Sequence, residues 1–160
     1  MQVSLKNNTI QIITSSAQET QDLGRKLGAA ANPGTVFLMS GQLGAGKTCL
    51  TQGIAGGLGV VGNPRSPTFV FVTQHKGRMS LFHIDLYRIK ADTDPLDFGL
   101  EEYFDRDGVT VIEWAEKAPS LTPAEYLKIT IAITGESSRE ITLEPHGKKY
   151  VELLRKVTAA

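Results

Sequence analysis

Eight residues, Gly41-Gln42-Leu43-Gly44-Ala45-Gly46-Lys47-Thr48, constrain this chain more than any other feature. They follow a short apolar run, Thr35 to Ser40, and lead into a stretch with helical character, so the pattern G-x-x-x-x-G-K-T sits at a strand-to-helix turn. The glycines permit backbone conformations that aim successive N–H groups at one point, and the helix start adds unpaired N–H groups and the positive end of its dipole. Such a loop cradles phosphate oxygens. Lys47 adds a point charge for β and γ phosphates, and the Thr48 hydroxyl is placed to ligate Mg²⁺. A glycine-rich turn that only capped a helix would give no reason for Lys47 at a crowded loop exit.

Around this loop the chain reads as alternating elements. Ser16-Ala17-Gln18-Glu19 has capping-box spacing, and Ala17, Thr20, Leu23, Leu27 and Ala30 recur every three or four residues, which predicts a helix from about 17 to 31. Asn32-Pro33-Gly34 ends it, and the 35–40 run is of the kind buried on both faces of a parallel sheet. A second helix is expected from Lys47 to Leu58, stopping at Gly59, although Gly53, Gly56 and Gly57 each weaken it by about 1 kcal/mol relative to alanine. Thr68–His75 and Met79–Tyr87, joined by Lys76-Gly77-Arg78, predict an antiparallel hairpin. Helical character over Pro95–Phe104, strands over Val109–Trp114, Tyr126–Thr134 and Arg139–Leu143, and a last helix over Lys148–Lys156 complete the reading. The expected fold is α/β: one three-layer P-loop NTPase-like domain over 1–160, with a mixed, mainly parallel sheet containing an antiparallel hairpin.

Composition excludes several classes. Lysine plus arginine equals aspartate plus glutamate, 17 against 17, so no overall positive field holds nucleic acid, and contact with it is expected through partners. Seven acidic residues between 92 and 107 (Asp92, Asp94, Asp97, Glu101, Glu102, Asp105, Asp107) face only Arg106, which reads first as a solvated surface and second as a dock for a basic partner. The single cysteine, Cys49, rules out an internal disulfide and fits a reducing compartment. No segment reaches the roughly 18 apolar residues of a membrane span.

Mg²⁺ on a phosphate needs an acidic partner at the end of a neighbouring apolar strand. Two candidates exist. Val109 to Ile112 followed by Glu113 places a carboxylate at a strand's carboxyl end, where open α/β sheets bind ligands, and Glu113 is the first choice. In Phe82-His83-Ile84-Asp85-Leu86-Tyr87-Arg88, alternation gathers His83, Asp85 and Tyr87 on one face, where Asp85 can position a water that the other two orient. Ser66-Pro67-Thr68-Phe69 sits where a moving segment can close over a γ-phosphate through Thr68. His75 and His146 read as surface residues. Asp97-Phe98-Gly99 imitates a kinase tripeptide without the other kinase parts, and the absence of an Asn-Lys-x-Asp guanine reader favours adenine.

Taken together, GQLGAGKT at 41–48, SPTF at 66–69, HIDLYR at 83–88 and IEW at 112–114 resemble the TsaE (YjeE) family over most of the chain. The resemblance implies a small cytoplasmic ATPase required for threonylcarbamoyladenosine modification of tRNA at position 37, working with TsaB and TsaD. It also implies a residue set. ATP would be held by Gly41, Leu43, Gly44, Ala45, Gly46, Lys47, Thr48 and Cys49 of the loop, with Thr68, Trp114 and Arg139; Mg²⁺ by Thr48 and Glu113. Lys47, Asp85 and Glu113 would be the catalytic residues, Trp114 a required neighbour, and Ser15–Ala17 and Arg139 would approach the adenine or ribose. The family often carries aspartate at Gln42 and threonine at Cys49, so the cradle is expected from backbone groups rather than from those two side chains. The alternatives are a small-molecule P-loop kinase, which ordinarily needs an arginine-bearing lid not visible here, and a non-catalytic nucleotide switch.

Overall fold

The first helix begins where its cap places it. In the computed structural model, which describes residues 2–6, 8–62, 71–90 and 92–159, α1 spans Ala17–Ala30, with the Ser16 hydroxyl accepting from the Glu19 N–H at 3.1 Å. The Glu19 carboxylate reaches back as the spacing predicts, but accepts from the Ser15 N–H at 2.6 Å, one residue before the N-cap whose own N–H the capping box would use. The far end of α1 is capped from elsewhere. Arg78, in the turn of the hairpin, donates to the carbonyl oxygens of Gly28, Ala29 and Ala31 at 2.6, 3.1 and 3.2 Å.

Strands β1 (Gln2–Lys6), β2 (Thr9–Thr14), β3 (Val36–Gly41), β4 (Val72–Lys76), β5 (Ser80–Asp85), β6 (Gly108–Glu113), β7 (Tyr126–Ile133) and β8 (Arg139–His146) form one sheet in the order β1-β2-β8-β7-β3-β6-β5-β4. The sheet is mixed, as expected. Its parallel part is confined to the four inner strands β7-β3-β6-β5, so three of the seven pairings are parallel and four are antiparallel, a different balance from the mainly parallel sheet read from the sequence. The extra antiparallel pairs come from the β1–β2 hairpin, which the helix-oriented reading of the N-terminus passed over, and from β8, which runs on to His146.

Alternation divides the inner strands between two cores. Phe37, Met39, Val109, Val111, Ile129 and Ile131 face α1, α2 (Lys47–Gly57) and α3 (Lys148–Thr158). Val36, Leu38, Ile84 and Ile112 point the other way, toward Leu86, Leu100 and Leu121. That second face is covered by short 3₁₀ turns, because the helix expected over 95–104 breaks at Gly99, whose φ of 66° divides it into Pro95–Phe98 and Leu100–Asp105. The seven acidic side chains of this stretch are all exposed.

The glycines that weaken α2 on propensity are the ones that let it pack. A Cβ on Gly53 would lie 2.3 Å from the Gln21 carbonyl oxygen, one on Gly57 2.3 Å from that of Arg25, and one on Gly28 of α1 2.2 Å from that of Ile54. The two helices therefore meet backbone to backbone, which holds the first turn of α2 against the start of α1. Gly53→Ala is expected to destabilise the fold by about 1–3 kcal/mol through this clash. Gly56→Ala, whose added methyl would meet only the flexible Arg25 side chain at 3.6 Å, is expected to be neutral or stabilising by up to about 1 kcal/mol. Urea unfolding of both variants measures the contrast.

Candidate nucleotide site

Strand β3 ends at Gly41, and the chain turns through 42–46 before α2 starts, with the Ala45 N–H on the Gln42 carbonyl at 3.0 Å. Gly44 and Gly46 hold φ of 81° and 113° with nothing within 4 Å of where a Cβ would be. Their requirement is conformational: side chains fit the space but not the backbone. Gly46 is the N-cap of α2 and carries no side chain with which to cap it, and the helix start presents backbone N–H groups and the positive end of its dipole toward the loop. Leu43 is 69 % exposed at the loop tip, so it offers backbone rather than packing.

Lys47 is folded back over this loop. Its Nζ donates to the carbonyl oxygens of Gly41 at 2.5 Å and Gln42 at 2.8 Å and lies 3.9 Å from the centre of the Trp114 ring. Burial lowers its pKa, and the carboxylates of Glu113, Glu116 and Asp85 act against that shift.

Glu113 ends β6 and is 2 % exposed. Its Oε1 accepts from the Thr48 hydroxyl at 3.1 Å; its Oε2 lies 3.2 Å from the Thr51 hydroxyl and is hydrogen-bonded to Nε2 of His83, which is fully buried. Parallel register sets Asp85, at the end of β5, beside Glu113. The Asp85 carboxylate accepts from the Tyr87 N–H at 3.0 Å, a local turn. The structure thus brings Lys47, Thr48, Asp85 and Glu113 to one end of the sheet, in hard-oxygen chemistry suited to Mg²⁺. Among the described residues no group of three or more His, Cys, Asp or Glu is placed to hold a metal ion.

Trp114 follows Glu113 with φ of 61°, a left-handed conformation that costs a non-glycine residue about 1–2 kcal/mol. The turn places its ring against Tyr87 at 5.0 Å and below Lys47, while Lys117 Nζ lies 5.2 Å from the Trp114 ring centre and donates to the Tyr87 carbonyl at 2.5 Å. Tyr87, expected with His83 and Asp85 on one strand face, instead lies past the end of β5, 43 % exposed. His75, expected at the surface, is half-buried with its Nε2 enclosed, and burial lowers its pKa, helped by the charge of His83.

Two further residues expected at the nucleotide lie beside the loop with protein partners of their own. Arg139, at the start of β8, spends its guanidinium on backbone carbonyls: Ala45 at 2.9 Å and Gly44 at 3.4 Å of the loop, and Ser138 at 2.8 Å and Gly135 at 3.1 Å of its own turn. It staples the loop to the sheet. Cys49 is half-buried, its thiol on the Ala17 carbonyl at 3.4 Å, with burial raising its pKa and Arg139 lowering it. That contact brings the 15–17 segment beside the first turn of α2. Thr68 and the rest of Ser66–Phe69 lie outside the described residues. Thr51 and the His83–Glu113 bond are what sequence reading missed; the i,i+3 spacing of Thr48 and Thr51 on one helix face was the available signal.

A mixed α/β sheet with this loop between β3 and α2 is a P-loop NTPase-like fold. The family model "Threonylcarbamoyl adenosine biosynthesis protein TsaE" matches residues 14–141. A Bacillus subtilis protein named tRNA threonylcarbamoyladenosine biosynthesis protein TsaE is 38 % identical over 91 % of this chain and 91 % of its own length, and one of that name from Treponema pallidum is 37 % identical over 84 % and 99 %. The crystal structure of Bacillus subtilis YdiB superposes with a TM-score of 0.79 at 33 % identity, covering 99 % of this chain and 97 % of that one. The chain belongs to the TsaE family. These relatives support the tRNA-modification reading and not the small-molecule kinase.

Arg139→Ala is expected to weaken ATP binding about tenfold, since charge-assisted bonds worth about 1.5–3 kcal/mol each no longer fix the loop. Calorimetric titration with ATP measures it, and wild-type affinity in the variant would remove the staple from the argument.

Proposed function

We propose that this chain, as a single domain over 1–160, is the ATP-binding and ATP-hydrolysing subunit for threonylcarbamoyladenosine modification of tRNA at adenosine 37, acting in the cytoplasm with TsaB and TsaD. The observation that carries the reading is the convergence of Lys47, Thr48 and Glu113 on a helix start whose N-cap is Gly46, in a chain of the TsaE family.

In this reading the backbone from Gly41 to Thr48 wraps the phosphates, with Leu43, Ala45 and Cys49 contributing through main-chain position and Arg139 holding the loop's shape. Lys47 exchanges its carbonyl contacts for β- and γ-phosphate oxygens, a stronger, charge-assisted pairing. Thr48 and Glu113 hold Mg²⁺, which when bound neutralises charge developing on the transferring phosphoryl group. Asp85, alongside Glu113, orients the attacking water, and Trp114 walls the Lys47 side.

Partner dependence follows from charge. A chain of 17 basic and 17 acidic residues has no net field to hold tRNA, so tRNA reaches it through the complex. Residues 41–48 and 108–114 contain no arginine, and a cation supplied by a partner raises phosphoryl-transfer turnover by roughly 10³ to 10⁵.

The chain alone is expected to hydrolyse ATP slowly and to speed up when TsaB, TsaD and tRNA are added, with threonylcarbamoylated tRNA appearing only when ATP and this chain are both present. Fast turnover alone, indifferent to those proteins, would refute the dependent-subunit reading. Glu113→Ala is expected to abolish Mg²⁺-dependent turnover while metal-free nucleotide affinity changes little; if it keeps wild-type Mg²⁺ dependence, Asp85 is the metal-side carboxylate.

A further inference from the structure

The two oxygens of the Glu113 carboxylate have different surroundings. Oε1 faces the loop through Thr48 Oγ1, and Oε2 is turned inward to His83 and Thr51. Thr51 has one hydroxyl proton and a nearer acceptor, the carbonyl of Lys47 one helical turn back, at 2.9 Å against 3.2 Å. A carboxylate oxygen accepts only, so Nε2 of His83 is the donor, and it has no competing acceptor within the described residues. With His83 at 0 % and Glu113 at 2 % exposure, water does not substitute for this bond.

Among the described residues the rest of the imidazole has no other polar contact: its Nδ1 is buried with no hydrogen-bond partner there. An unmatched ring nitrogen in a closed site costs free energy that an apolar side chain would avoid, so packing alone does not account for a histidine here. The backbone explains how the ring arrives: β5 and β6 run parallel with His83 beside Val111 and Asp85 beside Glu113, so His83 lies two residues into the sheet from the carboxylates, on their face.

We propose that His83 is the positioning residue of the nucleotide site: by holding Oε2, it fixes the Glu113 carboxylate so that Oε1 faces the Thr48 hydroxyl and the metal shared with the nucleotide. This rests on Glu113 being the metal-side carboxylate. His83 itself touches neither metal nor nucleotide. Without the bond the carboxylate turns about its own side-chain torsions, and what suffers is the coupling between metal and nucleotide rather than the phosphate cradle.

The test uses the full chain, a fluorescent non-hydrolysable ATP analogue and Mg²⁺ as titrant. Glutamine can place an amide N–H near the position of Nε2; asparagine is too short to reach. His83→Asn is expected to raise the half-saturating Mg²⁺ concentration about 10- to 100-fold, with affinity in EDTA within about twofold of wild type and His83→Gln close to wild type, the pattern of an outer-shell partner to a metal ligand. Thermal unfolding checks that both variants are folded. If His83→Asn keeps the wild-type Mg²⁺ dependence, or if His83→Gln is as impaired as His83→Asn in folded protein, the positioning role is overturned while the Glu113 reading stands. If wild-type binding is itself indifferent to Mg²⁺, the reading of Glu113 falls and the inference with it. Should His83→Asn not fold, His83→Gln decides: a large loss of Mg²⁺ dependence in that folded variant overturns the proposal, and near wild-type dependence supports it.

Discussion

The nucleotide end of this protein depends on burying one carboxylate. Taking a charged group out of water costs several kcal/mol unless other groups replace the lost solvation. Glu113 obtains that replacement from elements far apart in the chain: Thr48 and Thr51 on α2, His83 on β5, and the Lys47 ammonium as a nearby charge. The constraint runs both ways. Because the carboxylate is tolerable only with those groups in place, it fixes the roll of α2 relative to β5 and β6, and so where the loop between β3 and α2 can lie.

Holding α2 at that roll is the work of the helix layer. Interlocked glycines bring α1 and α2 to backbone contact, and the hairpin turn joins their distal ends, with the Arg78 N–H on the Leu58 carbonyl at 2.7 Å and the Arg78 guanidinium on the last carbonyls of α1. Tyr150 of α3 adds a buried tie at the start of β3, accepting from the Val36 N–H at 2.8 Å. The strand that feeds the loop is thus anchored at its root by α3, and the helix that leaves the loop is anchored along its length by α1.

Much of this was legible because local chemistry and global fold agree. The Ser16–Glu19 cap, the apolar runs that open β3 and fill most of β6, and the G-x-x-x-x-G-K-T turn each favour one conformation from local chemistry. What was not legible depended on partners distant in sequence. Gly53 and Gly57 read as helix weaknesses because propensity counts the cost and not the α1 backbone that needs the space. The bonds of Arg139 to Gly44 and Ala45, across 95 and 94 residues, leave no local pattern. The 95–104 stretch has helical composition, but Gly99 in a left-handed conformation divides it.

The strengths of the contacts separate scaffold from working parts. Lys47 is held by two peptide carbonyls and the face of an aromatic ring, all neutral partners, and burial lowers its pKa against the pull of the nearby carboxylates. Phosphate oxygens carry full negative charge and can displace those partners with a net gain. Glu113 Oε2 is the reverse case: its partners are enclosed, and an anionic ligand arriving at the loop offers it nothing better. On the function proposed above, nucleotide binding would move the lysine and leave its frame in place, so the geometry that meets the phosphates would be set before they arrive and little free energy lost to rebuilding it.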